Sequence, residues 1–174
     1  MKITGGKYKN RKIHFRSKRV RPTEAVVRQS VFNIIGNDLS GYRFFDLFTG
    51  SGIMGFEALS RNADKVIFND IDRKNLSGIR RRLDEMEITC DRYTISKKSG
   101  LDLIKRIDGG NTIIYFDPPF GFVEMDSLIS EFEKYTGIIG IFEFPIDSDY
   151  EFSYIINEKV YGDIKIVVEV RDEK

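Results

Sequence analysis

Two stretches of this 174-residue chain hold residues whose types and spacing could do chemistry. The first is Phe44-Phe45-Asp46-Leu47-Phe48-Thr49-Gly50-Ser51-Gly52-Ile53-Met54-Gly55-Phe56-Glu57-Ala58-Leu59, which reads as a buried strand, a glycine turn and the start of a helix. Glycine lets a backbone turn with positive φ and approach a ligand closely. A helix N-terminus behind such a turn offers unpaired N–H groups and the positive end of a dipole. Gly50-x-Gly52-x-x-Gly55 matches the dinucleotide fingerprint, a weak signal when it stands alone. Asp46, four residues before Gly50, sharpens it. A carboxylate facing the loop would repel a diphosphate but suit a ligand that carries an ammonium and a sulfonium, as S-adenosylmethionine does. Asp70, closing the next strand, is placed to accept hydrogen bonds from adenosine ribose hydroxyls with either cofactor. Asp46 is what separates the two, and it favours the methyl donor.

The second stretch, Thr112-Ile113-Ile114-Tyr115-Phe116-Asp117-Pro118-Pro119-Phe120, is an apolar strand ending in Asp-Pro-Pro-aromatic. The prolines stiffen the backbone and donate nothing, which leaves aimed carbonyl acceptors beside an ionised acid that also only accepts. Such a cluster suits a planar base with an exocyclic amine: Phe120 would stack on the ring, while Asp117 and the Pro118 carbonyl hold the two N–H protons. Drawing on those protons makes the nitrogen more nucleophilic, and alignment with a methyl donor does the rest. Phe122 and Tyr115 read as packing residues.

These motifs need rigid elements to position them. Strands are expected at 43–48, 65–70, 92–96, 112–116 and 138–144, and helices at 53–61, 73–87, 101–107 and 126–135. A further helix, capped by Thr23, runs through Val27, Val31, Ile34 and Ile35 to Gly36. The arginine run Arg80-Arg81-Arg82 lies off the apolar stripe of its helix and reads as a solvated face. Strand–helix alternation implies a mostly parallel, doubly wound α/β sheet. Residues 150–160 and 163–170, around Tyr161-Gly162, read as a closing antiparallel hairpin. Ligands of open α/β sheets bind at the carboxyl ends of the strands, so both motifs belong on one rim.

Composition agrees with a globular fold, with 41% hydrophobic and 32% charged residues. A single cysteine, Cys90, excludes an intramolecular disulfide and a cysteine-based zinc site, and the lone His14 has no metal partner nearby, so no metal is expected. The N-terminus has no apolar signal region and no apolar run approaches membrane-spanning length, so a cytoplasmic protein without membrane contact is expected. The net charge of +1 hides an asymmetry: residues 1–30 carry ten Lys/Arg against Glu24, a balance of +9, and the other residues balance at −8. Ile3, Tyr8, Ile13, Phe15 and Val20 interleave those charges, so residues 1–20 should form a small hairpin or extended structure with Gly5-Gly6 and Lys9-Asn10 as turns. A basic arm on an acidic body is the electrostatic footprint of a nucleic-acid reader, with Lys7, Lys9, Arg11, Lys12, Arg21 and Arg28 as the expected contacts. The natural division is a basic arm and helix over 1–36 and a catalytic domain over 37–174.

The combination resembles a known family. Asp-Pro-Pro-aromatic with a glycine motif upstream is similar to the amino-methyltransferases. Ile3-Thr4-Gly5-Gly6-Lys7-Tyr8-Lys9-Asn10-Arg11-Lys12-Ile13, Arg21-Pro22-Thr23, Val27-Arg28, Glu57-Ala58-Leu59-Ser60-Arg61 and Asp72-Arg73-Lys74 narrow the resemblance to the RsmD family of small-subunit (16S) ribosomal RNA guanine-N2 methyltransferases. The resemblance implies a Rossmann-like class I fold and S-adenosylmethionine as methyl donor. It places Asp46, Gly50, Ser51, Gly52 and Gly55 at the methionine end and Asp70 at the ribose. It counts Phe48 and Ile71 with the donor site, and it puts Asp117, Pro118, Pro119 and Phe120 at the target guanine. Ser99 stands where the family usually has an acid for the adenine amine. The partner it implies is ribosomal RNA or the small subunit, met by a monomer. The rival readings are a DNA adenine-N6 or protein-glutamine methyltransferase, which share the tetrapeptide, and a catalytically silent RNA-binding assembly module.

Overall fold

The computed structural model describes residues 1–14, 25–119 and 121–171. In chain order the elements are α1 (Ala25–Ile35), β1 (Arg43–Asp46), α2 (Ile53–Ser60), β2 (Lys65–Asn69), α3 (Arg73–Glu85), β3 (Tyr93–Ser96), α4 (Gly100–Ile104), β4 (Thr112–Phe116), α5 (Met125–Phe132), β5 (Ile138–Pro145), β6 (Ile155–Tyr161) and β7 (Ile164–Arg171). The seven strands form one sheet in the order β3-β2-β1-β4-β5-β7-β6. The first five are parallel, and β7 pairs antiparallel with both β5 and β6. Order reverses between β1 and β4, so a crevice opens above their carboxyl ends. Both expectations for the architecture, a doubly wound sheet and a closing hairpin, are met.

Strand alternation explains the layering. Phe44, Val66, Phe68, Ile113 and Tyr115 point to one face, where α1, α2 and α3 supply Val31, Phe32, Phe56, Ile79 and Leu83. Phe45, Ile67, Ile114 and Phe116 point to the other, covered by Leu103, Ile104, Leu128 and Phe132 of α4 and α5. With both faces covered, central strands read as continuous apolar runs. Most elements stop a residue or more short of the sequence expectation. β1 ends at Asp46 because Thr49 N–H already donates to the Asn69 carbonyl, so the chain has left the ladder for the turn. Among the described residues no helix is long and apolar enough to cross a membrane.

Residues 1–14 fold back as a hairpin, with Ile3 N–H donating to Arg11 and Ile13 N–H to Met1, and Ile3 and Ile13 join the core beside α1 and α2. The hairpin is fastened by a buried acid. Glu57 on α2 is fully buried and accepts from the Thr4 amide at 2.8 Å and the Thr4 hydroxyl at 3.0 Å. It also accepts from Arg28 Nε at 3.1 Å and, very closely, from Arg61. Arg28 therefore does not serve as the expected RNA contact: it is 2% exposed and also donates to the Lys2 carbonyl. The arginine run is corrected too. Arg80 and Arg81 are solvated, but Arg82 is buried because its guanidinium donates to the His14 carbonyl and ties the hairpin to α3. Thr23, Arg21 and Phe120 lie outside the described residues.

Removing one partner of a buried ion cluster leaves the remaining charges uncompensated, at a cost of about 3–5 kcal/mol. Glu57→Ala should therefore lose that much stability in urea denaturation and free the hairpin amides to exchange. A loss below about 1 kcal/mol with the amides still protected would contradict this account of how the hairpin is held.

Candidate functional site

The turn after β1 is built by its own hydrogen bonds. Gly50 and Gly52 hold φ of 48° and 79°, a left-handed conformation that favours glycine. Gly55 has a different reason: a Cβ there would lie 2.2 Å from the Phe68 ring, so only glycine lets α2 pack this closely on β2. Four amides of the turn and the first helical turn have acceptors within the protein. Gly50 N–H donates to Asp70 Oδ2 at 3.0 Å, Gly52 N–H to the Thr49 carbonyl at 2.6 Å, and Gly55 N–H to Asp46 Oδ2 at 3.1 Å. Ile53 N–H donates to Ser51 Oγ at 3.3 Å. A diphosphate needs those N–H groups, as the dinucleotide fingerprint uses them. Here four of them are taken by the Asp46, Ser51 and Asp70 side chains and the Thr49 carbonyl.

Asp46 braces the turn by accepting from the Gly55 amide. It is 2% exposed and does not line the cavity described next; Thr49 Oγ1 also donates to it, at 2.8 Å. Ser51, Gly52 and Gly55 are likewise buried under the turn. Of the expected donor-site residues, Phe48, Gly50, Asp70, Ile71 and Ser99 line a single cavity of about 710 Å³. Asp117, Pro118 and Pro119 line the same cavity, so the two sequence motifs do share one rim. That volume lies within the range of small-molecule sites. The sheet divides the cavity: Gly50, Asp70 and Ser99 follow β1, β2 and β3, and Asp117 follows β4.

Asp70 is held by three donors, Gly50 N–H, Asp72 N–H at 2.8 Å and Asn75 Nδ2 at 2.8 Å. Each carboxylate oxygen has two lone pairs, so an adenosine ribose can still donate to it. Ser99 caps α4 by accepting from Asp102 N–H at 3.0 Å, which turns its hydroxyl to the helix. Ile71, 72% exposed, and the half-buried Phe48 give the cavity apolar rims suited to a planar ring. The groups present therefore fit an adenosine-bearing methyl donor, and four of the amides a diphosphate would use already have acceptors.

Two contributors escaped the sequence reading. Asn69, 1% exposed, donates to the carbonyls of Leu47 (2.9 Å) and Lys98 (3.1 Å) and accepts from Lys98 N–H at 3.0 Å. One side chain thereby locks three rim loops; the available signal was a polar residue at the end of an apolar strand. Phe122, read as packing, packs edge-on against Phe48 with ring centroids 5.1 Å apart and lines the cavity. Tyr115 is buried as expected, with its hydroxyl donated to Glu143. Among the described residues no group of three His, Cys, Asp or Glu is placed to hold a metal ion.

The expected RNA contacts lie elsewhere. Lys7, Lys9, Arg11 and Lys12 are exposed on the N-terminal hairpin. That hairpin bonds to Ser60 at the end of α2, through Lys7 N–H and Tyr8 N–H, and to Glu85 at the end of α3, through Arg11. Both helices start at the cavity rim and run away from it, so their ends lie at the amino side of the sheet. Along α3 that separation is about 20 Å at 1.5 Å per residue.

Burial pushes the Asp46 carboxyl up to about 7, against the lowering effect of its bonds from Thr49 and Gly55 and with a smaller push from the Asp70 charge. In an unfolded chain the group titrates at about 3.9. Below that pH it is neutral in both states. As pH rises from about 4 to 7 the unfolded chain releases a proton that the folded one keeps, so this group costs stability progressively and levels off above 7. Asp46→Asn removes the effect, and the variant should lose less stability than wild type over that range, by at most about 4 kcal/mol. Parallel pH profiles for the two proteins would contradict the assignment.

Residues 1–140 match the family model described as Conserved hypothetical protein 95. The chain is 32% identical to the candidate rRNA methyltransferase YlbH of Bacillus subtilis, over 78% of this chain and 75% of that protein. It is 30% identical to ribosomal RNA small subunit methyltransferase D of Haemophilus influenzae, over 75% of this chain and 69% of that protein. Its fold matches the solved structure of the candidate methyltransferase yhhF of Escherichia coli with a TM-score of 0.86 at 21% identity, covering 100% of this chain and 99% of that one. A candidate methylase of Haemophilus influenzae matches at 0.83 and 23% identity, over 99% and 98% of the two chains. With the turn, the Asp-Pro-Pro rim and the family model in agreement, the chain belongs to the RsmD-like methyltransferases, the family described as Conserved hypothetical protein 95.

Proposed function

We propose that this protein transfers a methyl group from S-adenosylmethionine to the N2 amine of a guanine in small-subunit ribosomal RNA. The observation that carries the reading is the shared cavity, which sets Asp117-Pro118 on one side and the Asp70–Gly50 pair on the other. When bound, the donor supplies an electrophilic methyl on a sulfonium, whose C–S bond breaks with its electron pair going to sulfur as the amine lone pair forms the N–C bond. The chain's own residues orient and polarise. Asp70 accepts from the ribose hydroxyls, with Asn75 and the Asp72 amide fixing its carboxylate. Asp117, half-buried at the end of β4, accepts a hydrogen bond from an amine N–H and aims the nitrogen lone pair across the cavity. The proton leaves to water once the nitrogen has become cationic, so no strong base is required. Phe48 and Phe122 exclude water at the rim.

Ribosomal RNA as the substrate is supported by the names of the relatives and by the exposed cations of the hairpin. An adenine or a glutamine amide would meet the same acceptors, so the product discriminates. Incubating the protein with methyl-labelled donor and unmodified small-subunit rRNA, then digesting to nucleosides for mass spectrometry, should give N2-methylguanosine. N6-methyladenosine, or label in protein only, would overturn the guanine assignment.

Two substitutions separate the two halves of the site. Asp117→Ala should lower turnover by about 10²–10³-fold, the usual cost of one preorganised electrostatic contact, and leave donor affinity nearly intact. Asp70→Ala should instead weaken donor binding by about 1–3 kcal/mol, the cost of lost hydrogen bonds to neutral hydroxyls. Calorimetry and single-turnover assays check the pair, and wild-type turnover in Asp117→Ala would contradict the acceptor role.

A further inference from the structure

Besides Asp70 and Asp117, two carboxylates that the reaction above does not use line the cavity: the exposed Glu124 and the buried Glu143. Glu143 lies on β5, and the β4–β5 register pairs Tyr115 with Ile141 and Phe116 with Phe142. One step further, Glu143 stands beside Asp117 on the neighbouring strand, and both line the cavity. Glu143 is only 8% exposed, and the buried Tyr115 hydroxyl, two residues before Asp117, donates to its Oε2. Tyr115 is therefore more than packing: it orients a carboxylate. Tyr161 and Val27 line the cavity as well. Glu143 thus sets a carboxylate beside the acceptors of the Asp-Pro-Pro turn.

An acceptor wall two carboxylates wide has a definite complement. The Watson–Crick edge of guanine presents the N2 amine and, next to it, the N1–H, so adjacent positions are both donors. Adenine presents its amine beside N1, a bare acceptor, which would face a carboxylate lone pair to lone pair. Bases taken out of a stack into a pocket are read on this edge. We propose that Glu143, positioned by the Tyr115 hydroxyl, accepts the guanine N1–H while Asp117 holds the N2 amine, and that Glu143 thereby sets guanine over bases with an unprotonated N1. This rests on the guanine-N2 reading and deepens it: Asp117 serves the transfer, and Glu143 serves the choice of base.

2-Aminopurine isolates the claim, because it has the same exocyclic amine but no proton on N1. The methylated guanine is first located by mass spectrometry of the wild-type product, then replaced by 2-aminopurine in a ligated rRNA fragment. Wild type should prefer the guanine substrate in kcat/KM by about 10- to 100-fold or more, since a site built around a donor is left unpaired by the analogue. Glu143→Gln, nearly the same size and still able to accept from Tyr115, should shrink that preference about tenfold by losing activity on guanine and not on the analogue. Tyr115→Phe keeps the carboxylate but removes the hydroxyl that orients it, and should shrink the preference by less. Donor affinity within about twofold of wild type in both variants shows that the cavity is intact. Equal losses on both substrates, leaving the preference at its wild-type value in both variants, overturn the proposal. A wild-type enzyme that forms no N2-methylguanosine at all overturns the reading beneath it, which is a separate result.

Discussion

The rest of the site depends on how the backbone amides of the turn after β1 are consumed. A helix N-terminus behind a glycine turn is by default an anion site, because its first N–H groups lack partners. In this chain Asp46 takes the Gly55 amide, Asp70 takes the Gly50 amide, and Ser51 and Thr49 take those of Ile53 and Gly52. The turn keeps its shape, and these four amides already have acceptors before any ligand arrives. What remains at the surface is a carboxylate, Asp70, braced on both oxygens, between apolar rims formed by Phe48 and Ile71. Asn69 extends the same logic sideways by binding the β1 and β3 loops into one rim. The site is rigid because its polar groups are bonded to one another.

The molecule has two ends. Chemistry gathers at the carboxyl ends of the strands, whereas the basic hairpin sits where α2 and α3 finish, about 20 Å away along α3. The Glu57 cluster makes that placement firm, since a buried acid shared among Thr4, Arg28 and Arg61 ties the hairpin to both α1 and α2. An RNA that touches the hairpin cations and presents a base at the rim must therefore span the body of the protein. That geometry suits a structured RNA or a particle surface better than a short single strand.

Much of this was legible in the residues because the physics is local. Continuous apolar runs such as Phe44-Phe45 and Thr112–Phe116, bounded by turn residues, leave little alternative to buried strands, and Asp117-Pro118-Pro119 announces both a stop and a set of acceptors. Roles that depend on burial were not legible. Arg28 and Arg82 look like any cation in a basic stretch until tertiary contacts with Glu57 and the His14 carbonyl remove them from the surface. Spacing alone does not show that Asp46 is buried and bonded to the Gly55 amide. Glu143 lies far from either motif in sequence and joins Asp117 only through strand register.

The claim that the rim suits an adenosine-bearing sulfonium better than a diphosphate has a direct test. Calorimetric titration of the purified chain with S-adenosylmethionine or its demethylated product should give saturable binding at one site. Titration with NAD, which shares the adenosine but adds a diphosphate, should give none. Saturable NAD binding with no response to either sulfur compound would contradict the account.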